Sequence, residues 1–279
     1  MKTLSVIIPA YNEAESLPIL LEKLQVVFRN NGYTGEVIII NDGSTDATTA
    51  EALTTGFQKA SGDIVITMDA DGQDDPSEIP KLIAVLEQEN VDLVSGWKYP
   101  RKDPIEKRMF SFVFNRVTSM LTGVKLHDIN CGFKAYRSEV IKELQLYGEL
   151  HRYIPIFAHA AGFLVSEVKV KHHPRQFGVS KYGLKRIPKG FFDLLTVLFL
   201  TRYKKRPMHF FAGIGSLFGF CGIAVFVGLT IGHFFTNTER SLMPFWLSGG
   251  LCIVTSFMLF SVGLLGELIV AFFNQRGKS

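Results

Sequence analysis

Short apolar runs alternate with helix-period stretches over most of the chain, and two much longer apolar runs close it. LSVIIPAYNE begins as a strand that stops at Pro9, and the apolar spacing from Leu17 to Phe28 predicts a helix. Val37 to Ile40 is a second buried strand that ends in the polar turn NDGSTD, and residues 45–55 read as a helix. DIVITMD is a third strand, and it runs straight into Asp69, Asp71, Asp74 and Asp75. Asp75 then stands as an N-cap, with Pro76 at the first helical position and Glu78 at the third, so a helix starts there. VDLVSG is another strand, residues 104–122, 138–146 and 150–160 are helical, and residues 163–171 alternate as a strand. Continuously apolar strands separated by helices predict a mostly parallel sheet covered on both faces. Ligands of such sheets bind outside the carboxyl ends of the strands. Three acidic turns fall there: Asn12-Glu13, Asn41-Asp42 and Asp69-Ala70-Asp71.

The two long runs change the picture. Phe210 to Ile231 and Leu242 to Gly266 hold no charged residue. Each is long enough to cross a hydrocarbon core of about 30 Å as a helix. Arg202-Tyr203-Lys204-Lys205-Arg206 precedes the first run, Arg276 and Lys278 follow the second, and the loop between them carries one Arg and one Glu. The positive-inside rule then places residues 1–208 and the C-terminus in the cytoplasm. Gly215 and Gly219, and again Gly228 and Gly232, are spaced four apart, a pattern that lets helices pack closely within the hairpin or between subunits of a homo-oligomer.

Charge matters by its distribution. The net charge is only +4, yet Val168 to Phe192 carries seven Lys or Arg and no acid. That basic stretch leads into FFDLLTVLFL, an apolar helix with cationic flanks suited to an anionic membrane surface. Nothing in this balance calls for a nucleic-acid partner. Three scattered cysteines make neither a disulfide framework nor a zinc site. Adjacent His172 and His173 diverge in an extended segment and are a poor metal pair. GIGSLFG lies inside an apolar run with no strand before it, so a dinucleotide fingerprint fails, and no P-loop motif occurs.

Crowded carboxylates need a compensating cation. In an extended segment Asp69 and Asp71 point to one side. Two carboxylates on one side suit a hard divalent ion such as Mg²⁺ or Mn²⁺, which substrate phosphates commonly complete. Gln73 adds a neutral oxygen, Asp75 is spent on capping, and Asp74 reads as solvated.

SVIIPAYNEAESL, INDGSTD, DADGQDDP, DINCGFKAYR and GVSKYG together resemble the family 2 glycosyltransferases. Within these the chain is similar to the polyprenyl-phosphate group, that of dolichol-phosphate mannose synthase and its bacterial relatives, over nearly its whole length. The resemblance implies an α/β GT-A catalytic domain (Rossmann-like, mostly parallel sheet) plus a C-terminal two-helix transmembrane hairpin. The expected boundaries are 1–183 for the catalytic domain, 184–208 for a juxtamembrane segment and 209–274 for the spans, about 210–233 and 242–268.

It also implies roles. Pro9, Tyr11 and Glu13 would border the nucleotide base, and Asp42 would contact base or ribose. Asp69, Asp71 and Gln73 would hold the metal on the donor diphosphate, with Ala70 between them at the nucleotide sugar. Lys98 and Arg108 match basic positions near phosphates, and Arg152, in HRYIP, matches the acceptor side. Asp128 matches an acidic position beside the reacting centre, and Arg175, Ser180 and Lys181 match a loop that closes over the diphosphate. The implied reaction transfers a sugar from a UDP- or GDP-linked donor to undecaprenyl or dolichyl phosphate, inverting the anomeric carbon.

One departure stands out. The family places a further strand and part of a helix between the GSTD turn and the strand before the aspartates, and here GSTDATTAEALTTGFQKASGD joins the two almost directly. The missing strand belongs at a sheet edge, so the core survives while a wall of the nucleotide site is lost. Three other readings remain open: an inactive or scaffold relative, an anchored transferase for a non-lipid acceptor, and a processive polysaccharide synthase. The last lacks its Q-x-x-R-W motif here.

Overall fold

The structure, a computed structural model, describes residues 2–10, 13, 15–41, 48–99, 105–144, 148–174, 187–204, 206–236 and 242–276. The chain forms two compact units, Met1–Val197 and Leu198–Ser279.

The first unit is built on a six-stranded sheet in the order β2-β1-β3-β5-β4-β6. Its strands are β1 (Thr3–Ala10), β2 (Thr34–Asn41), β3 (Ile64–Thr67), β4 (Leu93–Lys98), β5 (Lys134–Arg137) and β6 (Val165–Val170). The pairs β1–β2, β1–β3 and β4–β6 are parallel, and β5 lies antiparallel between β3 and β4. Five strands therefore end at one edge, and β5 begins there.

The strand β5 is absent from the sequence reading. KAYR offers only Ala135 and Tyr136 as apolar residues, between two cations, yet both are fully buried. Helices cover both faces of β5, with Ala135 in one core and Tyr136 in the other, and that burial overrides a weak local signal.

Alternation along the strands makes two cores. Val6, Ile8 and Ile66 face α1 (Ser16–Asn31) and α3 (Ile79–Gln88), meeting Leu20, Leu24, Leu82 and Leu86. Ile7, Val65, Leu93 and Tyr136 face the other way, against α2 (Thr48–Lys59), α5 (Ser138–Glu143) and α6 (Ile154–Ala160). The helix α1 ends at Gly32, whose φ of 64° is the left-handed conformation a helix C-terminus favours. Among the described residues β2 and β6 are the two edge strands, and β2 is only half covered along its length. Long α4 (Ile105–Thr122) and α7 (Ile187–Leu198) complete this unit.

In the second unit a π-helical turn, Phe199–Tyr203, precedes α8 (Pro207–Thr236) and α9 (Met243–Arg276). Their apolar stretches, Pro207–His233 and Met243–Phe273, are long enough to cross a bilayer. The helices meet through small residues. A Cβ on Gly215 or Gly219 would come within 3.2 or 3.0 Å of Ser256, and one on Gly222 within 2.9 Å of the Gly249 carbonyl. Gly228 and Gly232 face open space instead. Of the two spaced pairs, the first packs the hairpin, and among the described residues nothing approaches a Cβ on the second. Glu267 on α9 accepts from the Met208 N–H at 3.3 Å, one of the amide donors a helix start leaves unsatisfied.

Candidate active site

The site collects where β1, β3 and β4 end and β5 begins. β3 stops at Thr67, and Asp69 to Gly72 form a turn rather than a strand extension. Gly72, at φ 74°, makes the turn. Asp69 and Asp71 are thus brought together by the turn and not by strand alternation. They are close enough that the charge of Asp71 raises the pKa of Asp69.

Asp69 lies against Gly132, where a Cβ would sit 2.7 Å from both carboxylate oxygens. The surrounding protein, then the charge of Asp74, raise its pKa to about 6, while its side chain keeps an opening to solvent. Asp71 is buried, and its Oδ1 accepts from the Gln73 N–H at 3.1 Å. Ala70, between them, is buried.

Asp74 is not solvated. It is 2% exposed, its Oδ2 accepts from the Asp69 N–H at 3.2 Å, and its Oδ1 lies 3.3 Å from Lys98 Nζ. Two of the four aspartates are therefore tied to each other through one backbone bond. Burial presses the Lys98 pKa down, but the acids around it, Asp74 first, hold it well above its ordinary value. Asp75 caps as its position predicts: Oδ1 accepts from the Ser77 N–H at 3.0 Å and Oδ2 meets His173 Nε2 at 3.1 Å. Gln73 is bound to the segment that follows β6: the His173 N–H donates to its carbonyl at 2.9 Å, and its amide nitrogen donates to the His173 carbonyl. His172 pairs with Asp74 through the backbone. The two histidine positions brace the aspartate turn.

The segment before β5 supplies the opposite wall. Asp128 is 2% exposed, and its charge acts on Lys98 and Lys134. Lys134 is buried and donates to the Cys131 carbonyl; burial lowers its pKa, against the pull of Asp128 and Asp69. Burial pushes the Cys131 thiol up to about 12, so it is no nucleophile. The loop is held from several sides. Asn115 on α4 donates to the His127 carbonyl at 2.7 Å, the His127 N–H donates to Glu167 on β6 at 2.8 Å, and Thr67 donates to the Gly132 carbonyl at 2.8 Å. The His127 ring stacks on Trp97, with centroids 4.0 Å apart.

The structure brings Asp69, Asp71, Asp74, Lys98 and Asp128 into one electrostatic cluster. Pro9 is the next-to-last residue of β1, which runs one residue past the expected stop, and it pairs in register with Ile40. Glu13 stands before α1, where its carboxylate accepts from the Ser16 hydroxyl at 2.8 Å. Arg152 lies on a separate 3₁₀ turn, Gly148–Tyr153. The backbone of Arg108 is in α4, but its side chain lies outside the described residues, as do Tyr11, Asp42, Arg175, Ser180 and Lys181 entirely. Sequence reasoning missed Lys134 and Gly132, and it misplaced Asp74. The signal available was a lone lysine inside the apolar CGFKAY segment, which only burial beside acids makes sensible.

This architecture, with its acidic edge, is of the GT-A type, and the comparisons agree. The model of glycosyl transferase family 2 matches residues 5–54 and 49–145. The chain belongs to that family and is a glycosyltransferase. It is 34% identical over 306 residues to the dodecaprenyl-phosphate galacturonate synthase of Rhizobium johnstonii, covering 99% of this chain and 90% of that one. It is 33% identical to the undecaprenyl-phosphate 4-deoxy-4-formamido-L-arabinose transferase of Pectobacterium atrosepticum, covering 96% and 88%. In fold it is similar to glucosyl-3-phosphoglycerate synthase of Mycobacterium tuberculosis, solved with Mn²⁺ and UDP-glucose: TM-score 0.56, 18% identity, 72% of this chain and 79% of that one. The family match breaks into two stretches that meet at residues 49–54, and the Rhizobium alignment of 306 positions exceeds the 279 residues present here. The excess means that the alignment with that relative places gaps in this chain.

Proposed function

We propose that the protein transfers a sugar from a nucleoside-diphosphate donor to the phosphate of a membrane polyprenol, at the cytoplasmic face, by one in-line displacement that inverts the anomeric carbon. The observation that carries this reading is the acidic turn of Asp69 and Asp71 beside Lys98 and Asp128, in a chain matched along its length by transferases named for polyprenyl phosphates.

A hard divalent cation, Mg²⁺ or Mn²⁺, fits the donor chemistry of this turn. Among the described residues no group of three or more His, Cys, Asp or Glu side chains forms that would hold a metal unaided. Two carboxylates and the Gln73 amide oxygen, completed by donor phosphates and water, make a set such ions accept. The Mn²⁺ bound by the mycobacterial enzyme supports the same choice. When bound, the cation would neutralise charge developing on the leaving diphosphate.

The chain's own residues do the rest. Pro9, Tyr11 and Glu13 border the base, and Asp42 contacts base or ribose. Arg175, Ser180 and Lys181 close over the diphosphate, and Arg108 and Arg152 meet phosphates. Lys98 acts through Asp74, fixing the turn that carries Asp69. The acceptor needs little activation, because a phosphate monoester has its second pKa near about 6 and is largely dianionic at neutral pH. Asp128 accordingly orients the reacting groups rather than taking a proton. The two apolar helices anchor the catalytic unit, with both termini cytoplasmic.

Nucleotide binding tests the donor half. UDP and GDP are titrated into detergent-purified protein with Mn²⁺, with Mg²⁺ and with chelator. Metal-dependent binding of one nucleotide, lost in Asp71→Ala, is expected. Binding of neither by folded protein would favour the inactive-relative reading that the shortened segment after Asp46 keeps open.

A further inference from the structure

Between α4 and β5, residues 123–133 form neither helix nor strand, so the place of Asp128 depends on what holds that segment. His127, the residue before it, is held at four points. Its carbonyl accepts from Asn115 of α4 at 2.7 Å. Its N–H donates to one carboxylate oxygen of Glu167 at 2.8 Å, and its ring Nδ1 meets the other. Its ring also stacks on Trp97, 9° from parallel. Glu167 therefore grips one residue by backbone and side chain together. A carboxylate only accepts, so the second bond puts the ring proton on Nδ1. The base of this clamp is the sheet. Glu167 and Lys169 on β6 stand opposite Ser95 and Trp97 on β4, and alternation puts all four on one face. Lys169 Nζ lies 4.8 Å over the rings of Trp97 and Tyr99 and braces them from the β6 side.

We propose that Glu167 is a positioning residue for Asp128: by holding His127 through its N–H and its ring, it sets where the Asp128 carboxyl stands relative to Lys98 and Lys134. The proposal rests on the role given to Asp128 above. The plain alternative is a surface ion pair, and exposed pairs contribute little. Two observations speak against that alternative. The Glu167 side chain is 16% exposed and that of His127 62%, so the acid is the fixed member and the ring is what it restrains. One of the two bonds goes to a backbone N–H, which no rotation of the ring releases. Asp128 is one residue further along the chain, and its charge acts on both lysines. A turn of the His127 backbone would swing that carboxyl away from them, and small displacements of an orienting group cost rate steeply. In the sequence Glu167 is marked only by contrast, as the last acid before a stretch from Val168 to Phe192 that holds none.

The test uses full-length protein in detergent, a short polyprenyl phosphate and the donor that a panel of radiolabelled UDP- and GDP-sugars selects. Glu167→Ala should lower kcat about threefold to tenfold, no more than Asp128→Asn does, with the donor KM unchanged. In an Asp128→Asn background the same change should cost less than about twofold, because residues that act through one another are not additive. Glu167→Gln keeps an acceptor for the N–H and offers an amide donor to a ring that can carry its proton on Nε2 instead, so it should retain at least about half of the parental kcat. Trp97 reports the clamp directly. With Trp246→Phe it is the sole tryptophan, and its emission should change in Glu167→Ala and not in Glu167→Gln. If alanine unfolds the protein, Glu167→Asp, one methylene too short for both bonds, takes its place in the cycle. A loss carried undiminished into the Asp128→Asn background overturns the proposal in favour of a packing role. Glutamine as poor as alanine overturns it in favour of a charge effect. Parental kcat or unchanged Trp97 emission in Glu167→Ala overturns it outright. A parent protein that transfers nothing overturns the transfer reading, and this proposal with it.

Discussion

Asp74 illustrates how a residue's place decides its chemistry. Read alone it is one more surface acid, yet in the fold it is buried against Lys98 and fixes the backbone of Asp69. Removing one partner of a buried pair costs about 3–5 kcal/mol. Asp74→Asn should therefore lose about 3 kcal/mol, the low end, because Asp69 and Asp128 still face Lys98; a denaturant titration in detergent measures it. Gly132 is as specific in the other direction. An alanine there would push on both oxygens of Asp69, so Gly132→Ala should weaken metal-dependent nucleotide binding at least about tenfold, the loss typical of a disturbed metal site, with little change in Tm. Equal losses in both would assign Gly132 a packing role only. Asp128→Asn separates orientation from base catalysis. A general base is worth about 10²–10⁴ in rate, and the account predicts a fall in kcat below tenfold in protein with unchanged secondary structure. DxD was legible as chemistry because it follows a buried strand, and Asp128 was reached only through the family resemblance of its segment. The cations that balance them were not, because a buried lysine has no local signature.

At the scale of elements, local periodicity located every strand except β5 and nearly every helix, because most bury one continuous face. β5 escaped because it is short and the helices on both faces of the sheet, not a pattern of its own, bury it. The acidic turn was misread as strand because Thr67 and Asp69 look continuous until Gly72 bends the chain. The edge between β1, β2 and the entry to β3 carries a prediction of its own. Glu36 on β2 accepts from the Ser5 hydroxyl at 2.7 Å and from both the N–H and the hydroxyl of Ser61 at 2.8 Å. The Ser5 hydroxyl bond first, then the Ser61 bonds, hold its folded pKa below the ordinary value of 4.5. A lowered folded pKa means the stabilisation is present above the unfolded pKa and is lost as pH falls through the folded one. Glu36→Gln should thus flatten the decline of Tm below about pH 4.5, the range where free glutamate titrates. A variant as acid-sensitive as the parent would remove Glu36 from the account.

Across the whole molecule, the division into a sheet unit and an apolar hairpin was plain from the two charge-free runs. What the sequence could not show was which glycines pack the hairpin, since Gly215, Gly219, Gly228 and Gly232 share one spacing and differ only in what faces them. β2 stands at one edge of the sheet, where a further strand would add, and that bears directly on whether the nucleotide site is complete. The decisive measurement is label transfer: full-length protein, Mn²⁺ or Mg²⁺, a short polyprenyl phosphate and a panel of radiolabelled UDP- and GDP-sugars. The account predicts label in the organic phase with one donor, abolished by chelator and by Asp71→Ala. Label appearing only in water-soluble or protein-bound product, or none with any donor from folded and membrane-inserted protein, would contradict it.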